Sequence, residues 1–252
     1  MDAARAAALQ ATLGEEQMIV SGSPLPPFYH QLYFWEARAP AALGRDGHPA
    51  IGGLIPDFGL PRRMWAGGRL LFYAPLLTGI PARKTTRLAG TSRKTGRSGA
   101  LAFVTLRHDI HQSGALCVTE FQDLVYREDP APDLPQPHYP MAPTDETIRE
   151  DFHFDSTLLF RYSALTFNGH RIHYDLEYTR HVEGYKGLVV HGPLLAHLLM
   201  RMAARQLGTL KSFSFRATAP LMQSEPASLC WKPGAMWAKG PDGRQIMAAH
   251  AT

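Results

Sequence analysis

The stretch Gly192–Gly208, GPLLAHLLMRMAARQLG, constrains the fold more than any other part of this chain. Pro193 stands at a first helical position, where its missing N–H costs nothing, and Gly208 suits the end of a helix. The first two turns are apolar nearly all round, so this helix must be enclosed by other structure. Short strand-like runs follow at Thr209–Ala217, Ala227–Trp231, Ala235–Lys239 and Gln245–Ala249. A helix followed by successive antiparallel strands predicts a sheet wrapped around that helix, an α+β unit.

Upstream, Asp129–Thr144 (DPAPDLPQPHYPMAPT) carries six prolines. At that density neither helix nor central strand persists, because each proline fixes φ and removes a donor. The segment reads as a connection, with residues 1–128 as an N-terminal half, 129–146 as the linker and 147–252 as a C-terminal half. A long loop within one domain is the alternative. The N-terminal half opens with a helix over Ala3–Met18 and a Pro/Gly-rich region, Gly22–Pro61, containing the loop Gly44–His48. Strand signals begin near Met64 and continue through Leu70–Tyr73, Ala100–Ile110 and Ala115–Arg127, with a turn at Lys94–Gly99. In the C-terminal half Thr147–Phe154 reads as a polar helical turn or two, followed by the segment Phe160–Thr166.

With 45% hydrophobic and 19% charged residues the chain can build packed cores and is not disordered. A formal charge of +4 suits an anionic, nucleotide-bearing small molecule better than nucleic acid. The basic cluster Arg83, Lys84, Arg87, Arg93, Lys94 and Arg97 fits a solvated strand edge as well as a binding patch. Cys117 and Cys230 have no ligand-like spacing, which disfavours a disulfide scaffold and is compatible with a reducing compartment. Asp2, Glu15 and Glu16 disfavour a targeting leader, and no apolar run approaches the ~20 residues of a membrane span. The expectation is a cytoplasmic protein that avoids membranes.

Asn168, His173 and His191-Gly192-Pro193 lie close together in sequence. Hydrating a double bond conjugated to a thioester needs a base for water, a second group to hold that water, and donors for the enolate-like oxygen. Histidine titrates near pH 6.5, so His173 suits proton transfer, and Asn168 can hold a water. The free N–H groups at the start of the Pro193 helix, with that of Gly192, suit the oxyanion. Spacing alone does not single out His173 among twelve histidines, since a histidine near apolar residues is commonly structural.

The stretch Arg161–Leu194, RYSALTFNGHRIHYDLEYTRHVEGYKGLVVHGPL, resembles the MaoC-type hydratase/dehydratase family. It is most similar to the branch of mesaconyl-C4-CoA (3-methylfumaryl-CoA) hydratases, itaconyl-CoA hydratases and mitochondrial-type 3-hydroxyacyl-thioester dehydratases. The broader family has Asp-x-Asn-Pro-Ile/Leu-His, with aspartate and histidine as the catalytic pair. That spacing places Asn168 at the aspartate and His173 at the histidine. Asparagine cannot serve as a carboxylate base, so the resemblance implies proton transfer by His173, water orientation by Asn168 and an oxyanion donor at Gly192. The N-terminal half joins the resemblance through Leu25-Pro26-Pro27, Pro61–Gly68 and Glu120-x-Gln122-Asp123-x-Val125-Tyr126-Arg127. A double hotdog fold is implied, each curved antiparallel sheet around a central helix, with one active site per chain. The first half would help to form the acyl and CoA pocket.

The resemblance implies an acyl-CoA substrate, no separate cofactor, and leaves self-association into a homo-oligomer open. A dicarboxylic acyl group needs a cation for its free carboxylate. Arg171, Arg62 and Arg63 are candidates; Lys211 and Arg216 are candidates for CoA phosphates, and His191 for substrate contact at the helix start. Three rivals compete. A metal could use His170 with His173, or His108 with His111, but no carboxylate or third ligand is placed beside either pair. A serine hydrolase lacks its Gly-x-Ser-x-Gly elbow. A non-catalytic acyl-CoA binder gains some standing from Asn168.

Overall fold

A computed structural model describes residues 1–50, 52–96, 99–129 and 138–252. Helix α1 (Ala3–Thr12) starts where the Asp2 carboxylate accepts the Ala4 N–H, 2.9 Å away. It ends six residues short of the expected Met18, because Gly14 turns into the left-handed region at φ +71°. Four long strands follow: β1 (Arg62–Phe72), β2 (Ala82–Gly96), β3 (Gly99–Gln112) and β4 (Ala115–Arg127). Strand β2 runs on through Lys94–Gly96, which narrows the expected turn at Lys94–Gly99; residues 97 and 98, between β2 and β3, lie outside the described residues. Residues 130–137 of the proline-rich connection also lie outside them.

The C-terminal half begins with β5 (Ile148–Phe152), which corrects the helical reading of Thr147–Phe154. Its backbone pairs with the strand at Ala227–Lys232. Helix α2 (Ser156–Thr166) starts only after that strand, where the Asp155 carboxylate accepts the Leu158 N–H at 2.7 Å. Then come α3 (Leu176–His181), α4 (Gly192–Leu207), β6 (Ser212–Ala217), β7 (Ala227–Lys232), β8 (Ala235–Lys239) and β9 (Gln245–Ala251).

All nine strands form one sheet in the order β2-β3-β4-β1-β6-β9-β8-β7-β5, and every pairing is antiparallel. The halves meet where β1 pairs with β6, from Gly67 opposite Arg216 to Leu71 opposite Ser212. A Cβ on Gly67 would stand 2.6 Å from the Phe215 carbonyl oxygen, so the join requires glycine there. Arg83, Lys84, Arg87, Arg93 and Lys94 of the basic cluster lie along β2, an outer strand, where charge discourages pairing with another chain, and Arg97 lies outside the described residues.

As expected, α4 is enclosed: Leu194, Leu195, Ala196, Leu198, Leu199, Met200, Met202 and Ala203 are buried against the strands of the C-terminal sheet and β1. Each large apolar side chain buried this way contributes roughly 1.5–3 kcal/mol. The first half is covered differently. Among the described residues no long helix lies between its strands; Ala6 and Leu9 of α1 and Phe28, Tyr29 and Leu32 of a 3₁₀ turn join the same core as Leu70, Ile110 and Val118. The result is a double hotdog with one long central helix.

Candidate active site

Helix α2 closes at Phe167, a left-handed residue with φ 54°, and the chain doubles back. The Asn168 N–H donates to the Ser163 carbonyl at 2.8 Å, and the Asn168 Oδ1 accepts the His170 N–H at 3.0 Å. A 3₁₀ turn, Arg171–His173, follows, and Asp175 caps α3 by accepting the Tyr178 N–H at 3.0 Å. This succession of turns points His170 and His173 inward, both buried. With one hydrogen bond accepted by Asn168 Oδ1, its Nδ2 and the second lone pair of Oδ1 remain available to a water.

His173 carries its proton in a defined place. Its Nδ1 is 2.7 Å from the Val189 carbonyl oxygen, which can only accept, so Nδ1 donates and Nε2 keeps its lone pair. Burial pushes its pKa down to about 3, against the opposing pull of that hydrogen bond. The neutral imidazole is therefore ready as a base at neutral pH. Behind it the His191 ring stacks at 3.6 Å, nearly parallel at 20°. His191 is wholly buried, shares a 2.8 Å hydrogen bond with Ser163 Oγ and occupies the N-cap of α4. It supports His173 from behind, so its surroundings leave it no access of its own to a substrate. Gly192 is the first residue of α4, whose leading N–H groups have no acceptor within the helix. A Cβ there would meet only the Trp65 carbonyl oxygen, at 3.8 Å.

A loop of the first half completes the site. Gly44–His48 closes on itself through Gly44 N–H to His48 O, 2.7 Å, and His48 N–H to Asp46 Oδ1, 3.0 Å. It docks on the 168–173 turn through the Arg171 N–H, which donates to the Asp46 carbonyl at 2.8 Å. Gly47, at φ +85°, passes so close that a Cβ would fall 2.1 Å from the Gly169 oxygen. His48 Nδ1 meets Asp46 Oδ2 at 3.1 Å, and the His48 ring lies 4.4 Å from His170. Burial raises the Asp46 carboxyl, but the hydrogen bonds from His48 outweigh it and hold it well below the usual range. Burial and then the neighbouring histidines push His170 down to about 2. The sequence marks this loop without placing it beside the 168–173 turn. The signal, Asp46-Gly47-His48, sits 122 positions before Asn168 and has no local partner.

The arginine candidates separate sharply. Arg171 grips Asp175 through Nε and Nη2, at 3.0 and 2.7 Å, and donates from Nη1 to the Arg45 carbonyl. Arg62 is buried against Glu183, Nε to Oε2 at 2.6 Å, and donates to the Glu183 carbonyl. Both therefore hold the chain together through carboxylates of their own. Arg216 is exposed on β6 next to buried Phe215, hence on the outer face of the sheet, and Lys211 is exposed just before that strand. Neither converges on His173. Arg63 alone faces the histidines, close enough to disfavour protonation of His48 and His170.

Asp46, His48 and His170 offer three donor atoms within 4.8 Å of one another, a set that could hold a zinc-class ion. The sequence argument against a metal lacked this carboxylate, which the first half brings in. Across Trp65 from Gly192 lies a cavity of about 170 Å³, lined by His30, Lys84, His108, Glu120 and Gln122. His30 Nε2 and Glu120 Oε2 share a buried hydrogen bond of 2.8 Å within it. No described helix is long and apolar enough to cross a membrane.

The fold, a double hotdog, and the similarity to known families together make this chain a hydratase/dehydratase of acyl thioesters. The chain belongs to the hydroxyacyl-thioester dehydratase type 2 family, whose sequence profile matches residues 28–223. It is 47% identical over 233 residues to mesaconyl-C4-CoA hydratase of Chloroflexus aurantiacus, covering 90% of this chain and 83% of that relative. Its fold is similar to a MaoC-like dehydratase from Phytophthora capsici, with a TM-score of 0.72 and 14% identity over 100% of this chain and 93% of the other. A Mycobacterium tuberculosis protein described as a double hotdog fold matches with a TM-score of 0.58 and 14% identity, over 100% of this chain and 91% of that one. The protein is a hydro-lyase acting on acyl-CoA.

Proposed function

We propose that this enzyme hydrates a five-carbon dicarboxylic enoyl-CoA, mesaconyl-C4-CoA or itaconyl-CoA, to citramalyl-CoA, and catalyses the reverse. The observation that carries the reaction is His173, neutral and with its Nε2 lone pair exposed by the Val189 hydrogen bond. A water held by Asn168 Nδ2 loses a proton to His173 Nε2 as its oxygen bonds the β-carbon. In mesaconyl-C4-CoA, whose double bond is conjugated with the thioester, the double-bond electrons move onto the thioester oxygen, where the Gly192 N–H at the head of α4 receives the charge; itaconyl-CoA first gives an α-proton to His173 Nε2 and takes it back on its terminal methylene, which brings its double bond into the same conjugation. The enolate then takes the proton at the α-carbon from the His173 imidazolium, so one water is added and the enzyme is restored. CoA enters as part of the substrate and no separate cofactor takes part.

Two features support the acyl class. The 47% identical relative is a mesaconyl-C4-CoA hydratase. The cavity beside Trp65 sets Glu120, Lys84, Gln31 and Gln122 among the rings of Tyr33, Phe34, Trp35 and Phe167, and a long hydrocarbon tail would leave those polar groups desolvated and unpaired. That disfavours a fatty-acyl dehydratase, the second reading. In this account the halves 1–128 and 147–252 divide the work, the second holding Asn168, His173 and Gly192 and the first shaping the acyl end. A cytoplasmic location and self-association complete the reading.

Loss of enoyl-thioester absorbance with mesaconyl-C4-, crotonyl- and long-chain enoyl-CoA, together with formation of citramalyl-CoA from itaconyl-CoA, tests it. The dicarboxylic substrates are expected to lead in kcat/KM by at least about tenfold. A long-chain preference, or release of free CoA in place of hydration, contradicts the proposal.

A further inference from the structure

We infer that Arg63 is the receptor for the free carboxylate of the substrate, beside the carbon that receives water. The inference rests on the dicarboxylic reading above. In mesaconyl-C4-CoA and itaconyl-CoA alike the free carboxylate is attached to the β-carbon, the atom that gains the hydroxyl. Its receptor must then stand next to the water-activating group, which excludes the outer-face Arg216 and Lys211.

Four arginines surround the catalytic turn, and three have a carboxylate of their own. Arg45 pairs with Asp129, Arg62 with Glu183 and Arg171 with Asp175. Arg63 has none: among the described residues no carboxylate oxygen lies within 4.0 Å of it. The Asp46 carboxylate is engaged by the His48 N–H and ring instead.

Strand geometry aims Arg63 inward. It stands opposite Tyr126 of β4 in the β1–β4 register. By the two-residue alternation it shares a face with Trp65, whose ring packs against Phe28 and Phe215 inside the molecule. Its guanidinium lies beside the buried Tyr126 hydroxyl and near the rings of His48 and His170. A partly buried cation without a counter-ion calls for an anion. A guanidinium fork binds a carboxylate through two parallel hydrogen bonds. The Tyr126 O–H adds a third donor.

Arg63→Gln and Arg63→Lys are compared with wild type on mesaconyl-C4-CoA and crotonyl-CoA, together with the inhibition constant for free CoA. Arg63→Gln is expected to lower kcat/KM for mesaconyl-C4-CoA about 100-fold or more while changing crotonyl-CoA less than about threefold. Arg63→Lys should recover part of the loss, and CoA inhibition should be unchanged. Equal losses on both substrates, or weaker CoA inhibition, would place Arg63 on the CoA moiety or in the scaffold and overturn the inference alone. Failure of wild type to prefer mesaconyl-C4-CoA over crotonyl-CoA overturns the dicarboxylic reading itself. If Arg63→Gln does not fold, the selective loss in Arg63→Lys decides.

Discussion

His173 and His197 show what the buried histidines cost this protein. Burial holds each near 3 in the folded chain, whereas each returns to about 6.5 when unfolded. Below pH 6.5 the unfolded chain takes up protons that the folded one refuses. Their contribution is thus complete above about pH 6.5 and declines as the pH falls towards 3, by up to ~1.4 kcal/mol per unit for each histidine. Denaturant midpoints at pH 7.5, 6.5 and 5.5 should fall slightly over the first step and about three times as far over the second; a level second step contradicts this account. Asn168, His173 and Gly192 were legible in the sequence because they lie within 25 positions of one another in a recognisable motif. The fates of Arg62 and Arg171 were not, since Glu183 and Asp175 claim them through geometry that residue type does not announce.

At the level of elements, the Gly44–His48 loop couples the halves. Its fit depends on Gly47, which combines a positive φ with contact against the Gly169 backbone. Gly47→Ala cannot be accommodated by a flexible side chain moving away, because the obstacle is main chain. The substitution should destabilise the protein by more than about 1 kcal/mol and, by lifting Asp46 and His48 off the turn, lower kcat at least about tenfold. Unchanged melting and kinetics would show that the loop is not docked in solution. Helix α4 and the strands after it were readable from apolar pattern, proline and glycine. β5 was misread because Ile148-Arg149-Glu150-Asp151-Phe152 is too polar and short for either period, and only its pairing with β7 makes it a strand. β2 is read as a strand only weakly, since its exposed Arg, Lys and Thr residues bury little.

On the scale of the whole molecule, one continuous sheet fixes the second half's catalytic turn against the first half's loop and β1. The double hotdog was implied by resemblance, while the covering of the first half by α1 and a 3₁₀ turn depends on contacts between distant segments. The central claim is that His173 moves the proton during hydration. Wild type and His173→Gln should be compared on mesaconyl-C4-CoA at neutral pH, with thermal unfolding as the control for folding. A loss in kcat of about 100-fold or more, in a protein that still unfolds cooperatively, is the expected result. Turnover within a few-fold of wild type would contradict the mechanism.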